Sequence, residues 1–224
     1  KPGKLLFWLD SVGRYLISGG KKIEIERLNN STDDEIRLFL LGVGFGALLH
    51  QRKLFPFHGN AVVKDGKAII LAGNSGAGKS TLAAVLLKRG YKLLADDISV
   101  IDFIDDQPVV YPGIPQLKLW EDVIIKLGES TDYKTVRPTL KKYKKPVRDA
   151  LSGDPVPLSD IFIIGTKNSE GFEHEKLKGV EKFNVIKDNT YRFRYVEGLG
   201  LTESHFLQAG KLAGRVNVVR VKRP

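Results

Sequence analysis

The sequence predicts an α/β fold on three observations. Short apolar segments of strand character recur along the chain, for example at 68–72, 92–95 and 161–164, with helical segments between some of them. A glycine-rich loop joins the strand at 68–72 to a helix predicted at 79–88, and Gly90 ends that helix. The chain has 224 residues, of which 42% are hydrophobic, so it can enclose a sizeable apolar core.

A hairpin and a helix are predicted before this core. Two apolar stretches, 12–17 and 23–25, flank a Ser-Gly-Gly-Lys-Lys turn, which is typical of a β-hairpin. Thr32 and Glu35 then match a capping box, so a helix should begin there and run to about residue 50 or 51. Its glycines lower helix propensity, and we expect them to permit close packing against another element. These glycines are Gly42, Gly44 and Gly46.

The remaining elements follow from shorter patterns. Strands are predicted near 60–63, 99–102, 109–111 and 216–221, and helices near 120–127 and 203–212. The segment 134–148 is rich in lysine and arginine and contains two prolines, which predicts a mobile basic loop. The polar segment 167–178 is predicted to be a surface loop.

Composition narrows the function classes. Lysine and arginine outnumber aspartate and glutamate by 36 to 26, and the net charge of +10 favours acidic partners. Without cysteine the chain can form no disulfide and no cysteine-ligated zinc site, which is typical of a cytoplasmic protein. The longest apolar run, 38–49, is shorter than the roughly 20 residues that cross a bilayer, so we expect a buried helix and no membrane contact. Methionine is absent even at position 1, and we expect the natural N-terminus to lie upstream.

The glycine-rich loop matches the pattern Gly-x4-Gly-Lys-Ser between a strand and a helix. Glycines let the backbone amides surround a phosphate, and the helix N-terminus adds partial positive charge. The lysine of the pattern would reach the outer phosphates of ATP, and the serine hydroxyl would ligate magnesium. The predicted nucleotide-binding residues are Gly73, Asn74, Ser75, Gly76, Ala77, Gly78, Lys79, Ser80 and Thr81.

Two adjacent carboxylates, Asp96 and Asp97, follow the loop by one helix, one turn and one short strand. This spacing returns them to the loop, where one could hold magnesium and the other could accept a proton from an attacking hydroxyl. They could instead end a strand in solvent, but adjacent carboxylates repel one another, which favours a functional site. His58 precedes the loop, and a lone histidine is more often a surface or core residue than a functional one.

The motifs resemble the catalytic core of the HPr kinase/phosphorylases. The resemblance covers 55–102, where His58-Gly59, the glycine-rich loop and the aspartate pair follow in the order and spacing of that family. It implies a phosphate-loop fold with a mixed sheet, related to phosphoenolpyruvate carboxykinase. On this basis we expect a kinase domain at 55–224, with the hairpin and helix of 1–54 packed on it.

The same resemblance implies roles for individual residues. Asp96 would be the base for a serine hydroxyl, supported by His58, and Lys79 would bind phosphate. Asp97 and Ser80 would hold magnesium. The family is often oligomeric, so the resemblance also raises the possibility of a homo-oligomer.

Other segments resemble HPr kinase-like proteins that are encoded with lasso-peptide biosynthesis. These segments are 38–42 with 47–52, 112–120, and His205-Phe206 with the final Arg223-Pro224. The resemblance implies a kinase for the C-terminal serine of a precursor peptide. Bifunctional HPr kinase/phosphorylases have a metal-binding glutamate in a Glu-Ile-Arg-Gly-Leu-Gly segment and a separate N-terminal domain. The 224 residues contain no counterpart of either, and on this basis we expect HPr to be a less favoured substrate and phosphorolysis not to be a main activity.

The basic segment and the overall charge leave alternatives open. Residues 137–148 could neutralise phosphate or hold an acidic peptide, or could be solvated surface. Arg137 is the first choice among them, because a planar guanidinium can bridge two phosphoryl oxygens. A regulatory ATPase module without kinase activity is a second function. A nucleic-acid-dependent ATPase is a third, but the chain contains no recognised nucleic-acid-binding motif and we expect no such partner.

Overall fold

The computed structural model describes residues 3–137 and 139–224. Residues 1 and 2 of the predicted N-terminal unit and Pro138 of the predicted basic loop lie outside this description. The strands are β1 (Lys4–Leu9), β2 (Gly13–Ser18), β3 (Lys22–Arg27), β4 (Phe55–Lys64), β5 (Lys67–Ala72), β6 (Lys92–Ala95), β7 (Ile98–Ile104), β8 (Gln107–Tyr111), β9 (Gln116–Trp120), β10 (Thr135–Arg137), β11 (Leu140–Pro146), β12 (Val156–Thr166), β13 (Glu173–Lys176) and β14 (Asn217–Arg223). The helices are α1 (Asp33–Phe39), α2 (Phe45–Gln51), α3 (Lys79–Lys88), α4 (Glu121–Lys126), α5 (Gly179–Asp188), α6 (Arg194–Gly198) and α7 (Thr202–Arg215), with a π-helical segment, Leu40–Gly44, between α1 and α2.

The main sheet is mixed, so the predicted α/β class is confirmed. Its eight strands follow the order β13-β14-β12-β5-β4-β7-β8, with β6 paired to β4. Strand β12 runs parallel to both β5 and β14, and β4 runs antiparallel to β5, β6 and β7. The sheet curls, because β8 also pairs with the first residues of β12.

Both faces of the central strands are covered, which is why β5 reads as a continuous apolar run. Ile70 joins a core cluster with Ile161 and Val218, under helices α5 and α7. Its neighbour Leu71 points the other way, into a cluster with Ala83 of α3. This alternation follows from the two-residue period of a β-strand. The sheet therefore holds α3 and the loop that precedes it on a rigid support.

The N-terminal region forms a three-stranded antiparallel sheet, β1-β2-β3. The predicted hairpin is β2 and β3, and β1 is an addition that the pattern did not reveal because its apolar residues lie on both faces. Leu6 and Trp8 of β1 remain 57% and 65% exposed, whereas Tyr15 and Ile17 of β2 are fully buried. The buried pair packs against residues of α2 and α6.

The helix predicted from Thr32 is present, with its capping box. The Glu35 amide donates to Thr32 Oγ1 at 3.3 Å, and the Thr32 amide donates to the Glu35 carboxylate at 2.8 Å. The helical run continues to Gln51 but contains the π-helical segment, where the Phe45 amide donates to the Leu40 carbonyl. The close packing predicted for the glycines is confirmed at Gly46, where a Cβ atom would lie 2.7 Å from the Tyr191 ring.

Two predicted loops are wrong in part. Most of 134–148 is the β10–β11 hairpin, and β11 also pairs with β9 to complete a second three-stranded sheet. Its charges are compatible with a strand because some of them have acidic partners in neighbouring segments: the Lys141 ammonium lies 2.9 Å from the carboxylate of Glu121, the first residue of α4. Within 167–178, β13 adds an edge strand to β14. The patterns also missed β9, α5 and α6.

No helix among residues 3–137 and 139–224 combines the length and apolar character required to span a bilayer.

Candidate active site

The glycine-rich loop connects β5 directly to α3, as predicted. Gly73 follows β5 with φ 131°, and a Cβ atom there would lie 2.2 Å from the carbonyl oxygen of Ile164. Gly78 has φ 97° in the left-handed region and precedes the first residue of α3. Only glycine fits this close approach and these dihedral angles without strain. The loop amides and the N-terminus of α3 are therefore available to a phosphate group.

Lys79 folds back over this loop. Its ammonium donates to the carbonyl oxygens of Gly73 at 2.7 Å and Asn74 at 3.1 Å. Burial lowers the pKa of Lys79, and the negative charge of Asp97 opposes that effect. A bound phosphate could replace the two carbonyl partners with charged oxygens, which form stronger hydrogen bonds to an ammonium group.

Asp96 lies beside the loop because β6 pairs with β4. This pairing places Ala95 opposite Ala61, so Asp96 reaches the neighbouring Asn60. The Asn60 side-chain amide donates to the Asp96 carboxylate at 2.8 Å and lies 3.4 Å from the Ser80 hydroxyl. The other carboxylate oxygen accepts the backbone N–H of Lys118 at 3.0 Å. A single amide therefore joins the carboxylate to the first turn of α3.

Asp97 occupies a strained backbone conformation, with φ 72°. Its carboxylate pairs with the Lys118 ammonium at 3.1 Å. His58 Nδ1 lies 3.1 Å from the Asp97 carbonyl oxygen and 3.6 Å from its carboxylate. A carbonyl oxygen can only accept, so Nδ1 of the neutral ring carries the proton. The predicted support of Asp96 by His58 is thus not a direct contact, since His58 contacts Asp97 instead.

The two carboxyl groups differ in acidity. Burial raises the pKa of Asp96 to about 6, with the Lys118 charge acting in the opposite direction. Burial also acts to raise the pKa of Asp97, but the positive charge of Lys118 and the influence of His58 outweigh it, so that pKa is lowered. Burial likewise lowers the pKa of His58. At neutral pH, Asp97 therefore stays ionised, whereas Asp96 has an acidity suited to exchanging a proton.

Sequence reasoning assigned no role to three residues of this site. Asn60 joins Ser80 to Asp96, Lys118 contacts both aspartates, and the Tyr191 ring centroid lies 5.9 Å from that of His58. A single asparagine in an otherwise apolar strand could have drawn attention to Asn60. Lys118 and Tyr191 reach the site only through tertiary packing.

Two cavities meet at Asp97. The first, of about 660 Å³, contains the loop side chains from Ser75 to Thr81 together with His58 and Asn60. The second, of about 590 Å³, is lined by Asp96, Asp97, Lys118 and Arg137. Arg137 lies in the second cavity, with its guanidinium 5.1 Å from the centre of the Phe39 ring. Its predicted contact with the transferred phosphoryl group stays a prediction.

The oxygen donors near Asp97, where the two cavities meet, suit magnesium. The Ser80 hydroxyl and the carboxylates of Asp96 and Asp97 are hard oxygen ligands, and Mg²⁺ is commonly held by one or two such groups together with nucleotide phosphates. Across the described ranges, no group of three or more His, Cys, Asp or Glu side chains forms a cluster that could hold a metal alone. This donor set therefore fits a metal that arrives with a nucleotide.

Comparison with known proteins gives relatives over part of the chain. No protein-family profile matches it. It is 33% identical over 105 residues to the HPr kinase/phosphorylase of Lactobacillus gasseri, covering 43% of this chain and 33% of that protein. It is 50% identical over 57 residues to the HPr kinase/phosphorylase of Prosthecochloris aestuarii, covering 25% of this chain and 17% of that protein. The chain thus spans a third or less of the length of these relatives.

A solved structure is also similar. The Hpr(Ser) kinase/phosphatase from Coxiella burnetii aligns with 75% of this chain and 85% of its own, at 14% identity and a TM-score of 0.38. The similarity in sequence agrees with the order of histidine, glycine-rich loop and aspartate pair along the chain. These matches show that part of the chain is similar in sequence to HPr kinase/phosphorylases.

Proposed function

We propose that the chain is an ATP- and Mg²⁺-dependent serine kinase that transfers the γ-phosphoryl group to a peptide or protein. One observation carries this proposal: the Asn60 amide contacts both the Asp96 carboxylate and the Ser80 hydroxyl of the phosphate loop. The buried Asn60 side chain thereby holds Asp96, a potential base, next to the phosphate-binding N-terminus of α3. A module that only hydrolyses ATP to move a partner has no need of a second cavity beside that base.

In the proposed mechanism, the loop amides and Lys79 hold the phosphates of ATP in the first cavity. A serine hydroxyl enters from the second cavity, and Asp96 accepts its proton as the oxygen attacks the γ-phosphorus. The bond from that phosphorus to the bridging oxygen breaks, and ADP leaves with the bonding electrons. Magnesium, held by Ser80 and Asp97, would neutralise charge on the phosphoryl oxygens when bound. Lys118 keeps Asp97 ionised and so available to the metal, while His58 positions Asp97 through its backbone carbonyl. Catalysis would rest mainly on positioning and charge stabilisation.

For the acceptor, we propose the C-terminal serine of a lasso-peptide precursor. The support is the resemblance to kinases of that pathway of 38–42 with 47–52, of 112–120, and of His205-Phe206 with the final Arg223-Pro224. An HPr-type serine kinase/phosphorylase is the alternative, favoured by the curated relatives, which carry that name.

The test is transfer of label from γ-labelled ATP. The enzyme would be incubated with ATP, Mg²⁺ and, in separate reactions, a candidate precursor peptide, the same peptide with its C-terminal serine replaced by alanine, and HPr. Mass spectrometry would locate any added phosphate, and addition of phosphate to the phosphorylated product would reveal phosphorolysis. Label only on the intact precursor supports the proposal, and label on HPr supports the alternative. ATP hydrolysis without labelled acceptor would refute the kinase assignment.

A further inference from the structure

The second cavity has an apolar wall that no other part of the described chain covers. Leu41 of the π-helical segment and Phe45 of α2 line one part of it, and Ile114 lines another. These side chains remain 40%, 40% and 45% exposed, although each is large and apolar. A cluster of exposed apolar side chains beside polar groups is characteristic of a binding surface. The cavity therefore offers a site for an apolar side chain next to the catalytic carboxylates.

Positive charge borders the same cavity without a matching negative charge. The basic residues that line it, apart from Lys118, are Arg37, Arg137, Lys144 and Arg192. Within 3–137 and 139–224, Arg37 makes only a long contact with the exposed Asp34, at 3.8 Å, and the other three make no ion pair. The two carboxylates in the lining are those of Asp96 and Asp97, which already bind Asn60 and Lys118. An anionic group on the ligand would supply the missing partner.

Arg137 is held in a suitable position for this task. Its guanidinium lies 5.1 Å from the centre of the Phe39 ring, which also lines the cavity, so an aromatic face supports the charge. Glu35 is close enough to interact electrostatically with Arg137. Its carboxylate, however, already accepts hydrogen bonds from the amide and hydroxyl of Thr32 in the capping box. A supported guanidinium presents paired N–H donors that match the two oxygens of a carboxylate.

We propose that this cavity is the acceptor site and that it recognises two features of the substrate: an apolar side chain adjacent to the serine, packed on Leu41 and Phe45, and a carboxylate bound by Arg137. This inference rests on the proposed kinase function and adds the chemical class of its acceptor. A cavity of about 590 Å³ accommodates a short peptide segment. The carboxylate could be the C-terminus of the peptide or an acidic side chain, since both present the same pair of oxygens.

The experiment uses a set of short peptides on the whole chain. The parent ends in leucine–serine with a free carboxylate, and a second peptide has the same sequence with a C-terminal amide. Two further amidated peptides place glutamate or glutamine after the serine, which separates a side-chain carboxylate from a C-terminal one. A fifth replaces the leucine with asparagine. Binding would be measured by fluorescence anisotropy with Mg²⁺ and a non-hydrolysable ATP analogue, and transfer would be measured with γ-labelled ATP.

We expect the wild-type chain to bind at least one carboxylate peptide about tenfold or more tightly than its neutral counterpart. We expect Arg137→Gln to reduce that difference to about twofold or less, and Arg137→Lys to restore only part of it, because a lysine keeps the charge but not the paired donors. Arg14→Gln on the exposed surface of β2 is the matched control and should keep the wild-type preference.

Equal binding of charged and neutral peptides by the wild-type chain would overturn the inference, as would a preference that survives in Arg137→Gln. Equal binding of the leucine and asparagine peptides would overturn its apolar half. Binding that depends on the carboxylate and on Arg137, but without any phosphoryl transfer, would support the binding site and refute the kinase function. The two proposals therefore fail by different results.

Discussion

Replacing Asp96 with asparagine tests the proposed base directly. The change removes a group that can accept a proton while keeping nearly the same shape. One carboxylate oxygen accepts from Asn60 and the other accepts from the Lys118 N–H, so an asparagine would place its NH₂ group against one of these donors. Rotation of the Asn60 amide can relieve one conflict. We therefore expect a loss of about 1 kcal/mol in the free energy of unfolding, equivalent to one hydrogen bond.

The effect on catalysis should be much larger. With a pKa of about 6, the Asp96 carboxyl is about 90% ionised at pH 7 and ready to accept a proton. Loss of a general base typically slows a reaction by about 10²–10⁴-fold, which corresponds to about 3–5 kcal/mol in the activation free energy. We expect kcat for transfer to fall by that factor, whereas the Kd for ATP should change by less than about threefold, because Asp96 does not belong to the loop.

The assay is single-turnover transfer of labelled phosphate, with ATP binding measured separately by calorimetry. The wild-type rate should rise with pH as Asp96 ionises, with an inflection near pH 6, and the residual rate of the variant should lack that inflection. Asp105→Asn is the matched control, since Asp105 is exposed and its φ of 48° suits asparagine. Transfer at the wild-type rate in Asp96→Asn, or an equal loss in the control, would show that Asp96 is not the base.

Three further predictions concern other parts of the structure. Lys79→Ala should weaken ATP binding by about tenfold or more and also reduce transfer, since it removes a charged phosphate ligand; unchanged calorimetric affinity would contradict its role. Gly46→Ala places a methyl group 2.7 Å from the Tyr191 ring and should cost about 1–3 kcal/mol in chemical denaturation, whereas Gly210→Ala, with open space around it, should stabilise helix α7 by about 0.5–1 kcal/mol. Burial lowers the pKa of His205 from 6.5 to about 4, so this residue binds a proton on unfolding at pH values between these two. Its own contribution to the free energy of unfolding should therefore drop by about 2 kcal/mol from pH 7 to pH 5, while the raised pKa of Asp96 acts in the opposite direction. The difference in the free energy of unfolding between the wild type and His205→Gln should change by this amount between the two pH values, and a difference independent of pH would contradict the buried neutral state of His205.

The phosphate-loop region was predictable because its signals are local. Helix α3 begins and ends at the residues expected, Lys79 and Lys88, since the glycine loop precedes it and Gly90 follows it. Strand β6 was located equally well, and its length determines where Asp96 emerges. Such segments are specified by nearby residues, so no knowledge of distant contacts is needed.

The rest of the site depends on contacts between distant segments. Lys118 reaches the aspartates because its strand, β9, pairs with β11. Strand β11 is rich in lysine, which has weak β propensity, so its sequence alone does not predict a strand. Its partners across the sheet, not its own sequence, determine its conformation. The role of His58 was implied by the family resemblance, but its partner among the two aspartates depends on the left-handed backbone at Asp97, which no sequence pattern indicated.

The π-helical segment has a consequence for how related chains can differ. The Phe45 amide donates a hydrogen bond to the carbonyl of Leu40, five residues earlier, whereas an α-helix bonds to the fourth residue back. The segment therefore contains one residue more than an α-helical turn. Loss of a single residue there would restore the ordinary bonding ladder and rotate the preceding part of the helix by about 100° relative to α2. Leu41 would then leave the acceptor wall, while the loop and the carboxylates, carried on other strands, would keep their places. Substrate preference in such chains could thus shift through a one-codon insertion or deletion, with the catalytic machinery unchanged.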